Sequence, residues 1–188
     1  MTEPATVYDA IGLHSRGKHE IRTYTGRHVD PFVMTTRDVH HRDIAHALSH
    51  ACRFGGHSEG HLSVARHSIH VMQWLERHEA TVQECLAGLL HDAAEAYIGD
   101  MVRPLKHRDE FQLYRALDDR VTAIILKHFH LPFTELPTIV HEADVAITNV
   151  EVNHLRFSWD SRWQDDKQEY LDALHRYNSA HNGGSLRA

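Results

Sequence analysis

The chain has 188 residues, 41% of them hydrophobic and 24% charged, with a formal net charge of −6. That is one domain's worth of chain, long enough to bury a substantial core. A mildly acidic balance with no Lys/Arg run argues against nucleic acid as partner; no stretch approaches the roughly 20 apolar residues of a membrane span; and Cys52 and Cys85, far apart and outside any CxxC, point to a reducing cytoplasm.

Residues 1–20 carry no periodicity and no apolar signal core, and are expected to form a loose leader. IRTYTGRHVDPF (21–32) alternates around Thr25-Gly26, a small hairpin closed by Pro31. Helical periodicity then takes over. RDIAHALSHACRF (42–54) places Ile44, Ala45, Leu48, Ala51 and Cys52 on one side, with Gly55-Gly56 as its stop. LSVARHSIHVMQWLERH (62–78) is the second helix. TVQECLAGLLHDAAEAYIG (81–99) is the third, opened by Thr81 with Glu84 in capping-box spacing and stopped at Gly99. DMVRPLK (100–106) is a loop stiffened by Pro104. DEFQLYRALDDRVTAIILKHF (109–129) and TELPTIVHEADVAITNVEVNHL (134–155) follow, the latter starting near Thr134 with Pro137 in its first turn. DKQEYLDALHRYNSA (166–180) is the last helix, before a frayed 181–188 tail. The expected architecture is all-α: a compact bundle of about six helices with a small N-terminal hairpin, one domain over 21–180.

Histidine is abundant, 20 of 188 residues. With so many, an adjacent His-Asp pair is expected about once or twice by chance, so the dipeptide alone means nothing. The setting of His91-Asp92 carries more. In LLHDAAEAYIGD (89–100), His91, Asp92 and Glu95 lie three and four apart on one helical face, among residues otherwise suited to burial. An unpaired buried carboxylate costs several kcal/mol. A divalent cation removes that cost, so the cluster reads as metal ligands plus a catalytic acid. One helix supplies too few ligands. His67 in ARHS and Asp144 in HEAD, on other helices and in apolar settings, complete a mixed N/O set. Such a set suits Zn, Mn, Co, Ni or Fe, with open positions for water and a substrate oxygen.

ARHS (65–68), LLHDAAE (89–95), GD (99–100) and HEAD (141–144), in that order, together with RDIAHALSHACRFGGHS (42–58) and GDMVRPLK (99–106), resemble the HD-domain phosphohydrolase superfamily. The likeness is nearest to its 5′-deoxynucleotidase-like branch and runs from about Tyr24 to His154. It implies that His67, His91, Asp92 and Asp144 hold the metal, that Glu95 orients or deprotonates the attacking water, and that Asp100 positions the nucleophile or leaving group. It also implies a homo-oligomer, and a nucleotide pocket lined by Arg53, Phe54, Pro104 and Lys106. Arg53 and Lys106 would meet phosphate, Phe54 would stack on a base, and Pro104 would pack against base or sugar. Phe54 stands where the branch often has tryptophan. A second divalent ion could arrive with the substrate.

The expected activity is metal-dependent hydrolysis of a (deoxy)nucleotide phosphate ester by activated water. The alternatives are a dATP/dNTP triphosphohydrolase of phage type, releasing triphosphate, and a non-catalytic metal-held nucleotide sensor. Among the other histidines, His70 is expected to face away from the site and His46 and His50 to lie on helix surface, while His57 and His61 stand in a loop that could rim the pocket. Trp74, Trp159 and Trp163 are expected to pack the bundle or a subunit interface.

Overall fold

The computed structural model describes residues 19–154 and 162–183; the leader up to residue 18, Trp159 and the tail from residue 184 lie outside them. The fold is helical, as expected. A two-stranded antiparallel hairpin, β1 (Ile21–Arg22) and β2 (His28–Val29), pairs Ile21 with Val29. Among the described residues six helices span nine residues or more: α1 (His41–His50), α2 (Val64–Arg77), α3 (Val82–Leu90), α6 (Gln112–His128), α7 (Thr138–Asn153) and α8 (Trp163–Asn182). One-turn helices α4 (Glu95–Ile98) and α5 (Arg103–Lys106) and two 3-10 turns, Arg53–Gly56 and Asp109–Phe111, join them. No helix among the described residues is long and apolar enough to cross a membrane.

Helix α2 is the hub, packing against α1, α3, α7 and α8. Val64, Ala65, Ile69, Val71, Met72 and Leu75 bury around most of its circumference. α3 is buried from Cys85 through Leu90, as expected of a helix apolar on nearly every side. Their close approach depends on Gly88, where a Cβ would stand 2.3 Å from Leu75 Cδ1. Thr81 and Glu84 form the anticipated capping box at the start of α3. Two polar contacts dock the periphery. Thr25 donates from its backbone N–H and its hydroxyl to Asp43, at 2.7 and 2.8 Å, fixing the hairpin to α1. Asp166, fully buried, accepts from the Ser63 hydroxyl and from Arg66, which holds the start of α8 against the start of α2.

Several boundaries differ from expectation. α1 ends at His50 and not at Phe54, because Ala51 turns extended and Cys52 bridges to Ser63. Arg53 therefore sits on a 3-10 turn, not on a helix terminus. The expected 81–99 helix breaks after Leu90. From Leu90 to Tyr97 the bonds run mostly from N–H to the carbonyl three residues back, tightening the coil. The 100–106 loop contains the helical turn α5, with Pro104 tolerated in its first turn. Pro137 caps α7 from outside its first turn. α8 gains residues at both ends, so positions 181 and 182 are helix and not tail.

Candidate metal centre

The break in α3 builds the site. A helix end leaves carbonyls without intrahelical partners, and each of the last three here finds one. Gly88 O accepts from His91 Nδ1 at 2.8 Å, Leu89 O accepts from the buried Tyr170 hydroxyl at 2.8 Å, and Leu90 O accepts from the Ala93 N–H. The first of these bonds sets the imidazole: Nδ1 carries the proton and Nε2 is left as a lone pair.

His91 Nε2 is buried and has no hydrogen-bond partner among the described residues, yet it lies 3.1 Å from Asp92 Oδ2 and 4.0 Å from Asp144 Oδ1. His67, fully buried on α2, repeats the arrangement. Its Nδ1 is 3.0 Å from both carboxylate oxygens of Glu151, and its Nε2 is 3.1 Å from Asp144 Oδ1. A neutral imidazole owns one N–H and can donate to only one of these carboxylates. The other nitrogen then faces a carboxylate oxygen lone pair to lone pair unless a second ring proton or a metal ion stands between them. His67, His91 and Asp144 each offer a ligand atom within 4.8 Å of the others, a group positioned to bind a metal ion. Two imidazole nitrogens and a carboxylate oxygen form a donor set that fits a divalent transition metal.

The electrostatics also call for positive charge at this point, which a second imidazole proton supplies in place of a metal ion. Burial alone would lower the His91 pKa, but Asp92 and then Asp144 outweigh it and raise it to about 9. Against the cost of burial, His91, His67 and Arg53 hold Asp92 well below the usual carboxylate range, and His67 and His91 do so for Asp144. Glu95 goes the other way. Burial, with Asp92 and Asp100 nearby, raises it well above its ordinary value, and its Oε2 is buried without a hydrogen-bond partner among the described residues. Burial and Asp92 raise Asp100 as well.

The centre opens on a cleft of about 720 Å³. Arg53, Phe54, Asp92, Glu95, Asp100, Pro104, Lys106 and Asp144 all line it, while His67 and His91 lie in the buried floor. Phe54 adopts a left-handed backbone, φ 57°, an unfavourable conformation for an aromatic residue; its ring lies 5.2 Å from the Arg53 guanidinium. Gly99, with φ +79°, ends α4 and sends the chain out to Asp100.

The family models contain no match to this chain. The chain is 38% identical over 133 residues to an uncharacterized protein of Rhodobacter capsulatus, an alignment covering 69% of this chain and 67% of that one. It is also 32% identical over 143 residues to the uncharacterized protein YfdR of Escherichia coli K12, covering 76% of each. The chain belongs to the family of these two proteins. The relatives' names carry no activity, so the chemistry of this YfdR relative has to be argued from its own side chains.

Arg53, on the cleft wall, is already held by its neighbours: it donates to Thr148 Oγ1 at 2.9 Å and pairs with Glu151 at 3.2 Å and Asp92 at 3.6 Å. His70, expected to turn away, stands 3.9 Å from Glu151 Oε1, behind the carboxylate that holds His67. The sequence reading missed Glu151 altogether. It is 1% exposed and lies seven residues after Asp144, with Thr148 between them donating to Asp144 Oδ1 at 3.1 Å. Positions 144, 148 and 151 share one helix face, and that spacing was the available signal. Two further histidines, His107 and His141, line the cleft, whereas His46 stacks on Tyr24 with centroids 3.9 Å apart, His50 lies near Trp163, and His61 contacts Cys52. Trp74 stacks on His78 and packs against the core.

Proposed function

We propose that this protein is a metal-dependent phosphohydrolase of (deoxy)nucleotides, of the HD-domain, 5′-deoxynucleotidase-like kind. The observation that carries the reading is the pair of buried imidazole lone pairs and the Asp144 carboxylate converging on one point at the floor of a cleft that also holds Glu95, Asp100 and Lys106. His67, His91 and Asp144 would hold the ion, with Asp92 beside them as the fourth donor. The N/O donor set suits Zn, Mn, Co, Ni or Fe. When bound, such a cation supplies Lewis acidity, acidifying water and drawing electron density from a phosphoryl oxygen.

The chain's residues do the rest. Glu95, whose carboxyl holds a proton more readily than an ordinary carboxylate because it is buried beside Asp92 and Asp100, takes a proton from the attacking water. Water adds to phosphorus, the bond from phosphorus to the ester oxygen breaks, and that oxygen leaves with a proton returned by Glu95 or Asp100. Phe54 and Pro104 offer apolar surface to the base and sugar.

A monophosphate is favoured over a triphosphate by how the cleft's cations are committed. Arg53 is paired with Glu151 and Asp92, Lys106 with Asp118, and Arg115 donates to the carbonyls of Lys106 and Arg108. Arg103 is the Lys/Arg side chain of the lining without such a contact among the described residues. That wall can answer one phosphate more readily than three. A reducing cytoplasm and a homo-oligomeric assembly remain part of this proposal.

Incubation of the protein with dAMP and with dATP under each divalent metal tests the reading. Orthophosphate from dAMP is expected; tripolyphosphate from dATP would select the triphosphohydrolase instead, and no product from either under any metal would refute both. In the same assay Glu95→Gln should keep fold and bound metal while kcat falls by about 100-fold or more; an unchanged kcat removes Glu95 from the chemistry.

A further inference from the structure

Asp118 lies on α6, outside the sequence motifs that carry the metal donors, yet its carboxylate Oδ2 stands 2.5 Å from Lys106 Nζ. Both side chains are mostly buried, 14% and 27% exposed, and both line the cleft. The pair is built, not incidental. One turn earlier on α6, Arg115 Nη1 donates to the backbone carbonyls of Lys106 and Arg108, both at 2.6 Å, and the Tyr114 hydroxyl donates to Gly99 O at 2.6 Å. Three side chains from one face of α6 thus fix the backbone that carries Lys106 and take hold of its ammonium.

An ammonium has three N–H donors and can keep Asp118 while meeting an anion. What Asp118 changes is the charge that anion sees. With the carboxylate in contact, the Lys106–Asp118 unit is close to neutral, and each additional negative charge brought to that wall is repelled by Asp118. At the several ångströms involved, in a partly buried setting, removing one charge alters the affinity for a second or third phosphate on the order of tenfold.

We propose that Asp118 is the specificity-determining residue of the cleft: by neutralising Lys106 it admits a single phosphate and discriminates against polyphosphate chains. The proposal rests on the phosphohydrolase reading for its biological meaning, but its test does not need turnover. Binding of inorganic orthophosphate and tripolyphosphate to the metal-loaded protein is measured by calorimetry, with excess metal so that chelation does not strip the site. In the wild type, tripolyphosphate should bind no more than a few-fold tighter than orthophosphate. Asp118→Asn should tighten tripolyphosphate roughly tenfold relative to orthophosphate, Asp118→Glu should restore the wild-type ratio, and adding Lys106→Ala to Asp118→Asn should abolish the gain.

An unchanged ratio in a folded Asp118→Asn protein overturns the assignment. So does a gain that survives Lys106→Ala, or a failure of either protein to bind tripolyphosphate at all. Failure of the phosphohydrolase reading is seen separately, as an absence of product from dAMP and dATP.

Discussion

His91 owes its role to a bond on its far side. Because Nδ1 is spent on the carbonyl of Gly88, Nε2 is left facing the carboxylates of Asp92 and Asp144, where either a second proton or a metal ion supplies the positive charge between them. Glu151 does the same for His67, and it also pairs with Arg53, so one buried carboxylate fixes both a ligand and a cation of the cleft wall. Outer carboxylates of this kind orient a ligating imidazole and raise its basicity. Glu151→Gln should therefore weaken metal binding about 10- to 100-fold while leaving the helical content intact; a metal titration that matches wild type would reduce Glu151 to packing. The contrast between ligands and support explains what could be read from the chain alone. His67, His91, Asp92 and Asp144 stand out as titratable groups in apolar settings, which a sequence displays directly. Glu151 sits in a more polar run, EVNHL, and its burial comes from α2 lying over it, a tertiary fact.

At the scale of elements, the site depends on where α3 stops and how closely it meets α2. Nothing in HDAAEA breaks a helix by composition, so periodicity alone runs on to Gly99. The break appears only because His91 and Tyr170 accept the task of satisfying freed carbonyls. The same holds for α1: the visible stop is Gly55-Gly56, but the Cys52 bridge to Ser63 ends the helix earlier and turns Arg53 toward Glu151. Helix existence, the hairpin and the Thr81 cap were readable because each is a local pattern. Gly88 tests the packing that brings His91 to His67, whose rings lie 5.2 Å apart. A Cβ there would collide with Leu75 at 2.3 Å, so Gly88→Ala should cost about 1–3 kcal/mol of stability and weaken metal binding with it. A variant with wild-type Tm would mean that the two helices have slack.

For the whole molecule, the abundant histidines set the response to acid. Burial, with His40 and His175 nearby, lowers His41 to about 4, and burial also lowers His40, His46 and His128. A histidine whose folded pKa lies below its unfolded value near 6.5 binds fewer protons folded than unfolded, so stability falls as pH drops through that interval. The depressed carboxylates Asp92, Asp144 and Glu151 act in the same direction at lower pH, because their stabilisation is lost as they protonate. Glu95 and Asp100, raised on folding, oppose this trend, so the contribution of the histidines is read by difference: the His41→Gln midpoint should vary less with pH than that of the wild type between pH 6.5 and 4. Identical pH dependence in the two proteins would contradict the buried placement of His41.

The most direct measurement is the metal content of the purified protein after reconstitution, alongside His91→Ala and Asp144→Ala. About one equivalent of a divalent transition metal should be retained by the wild type and lost from both variants while their circular dichroism stays helical. No metal in the wild type, or equal metal in all three, would contradict a centre built from His67, His91 and Asp144.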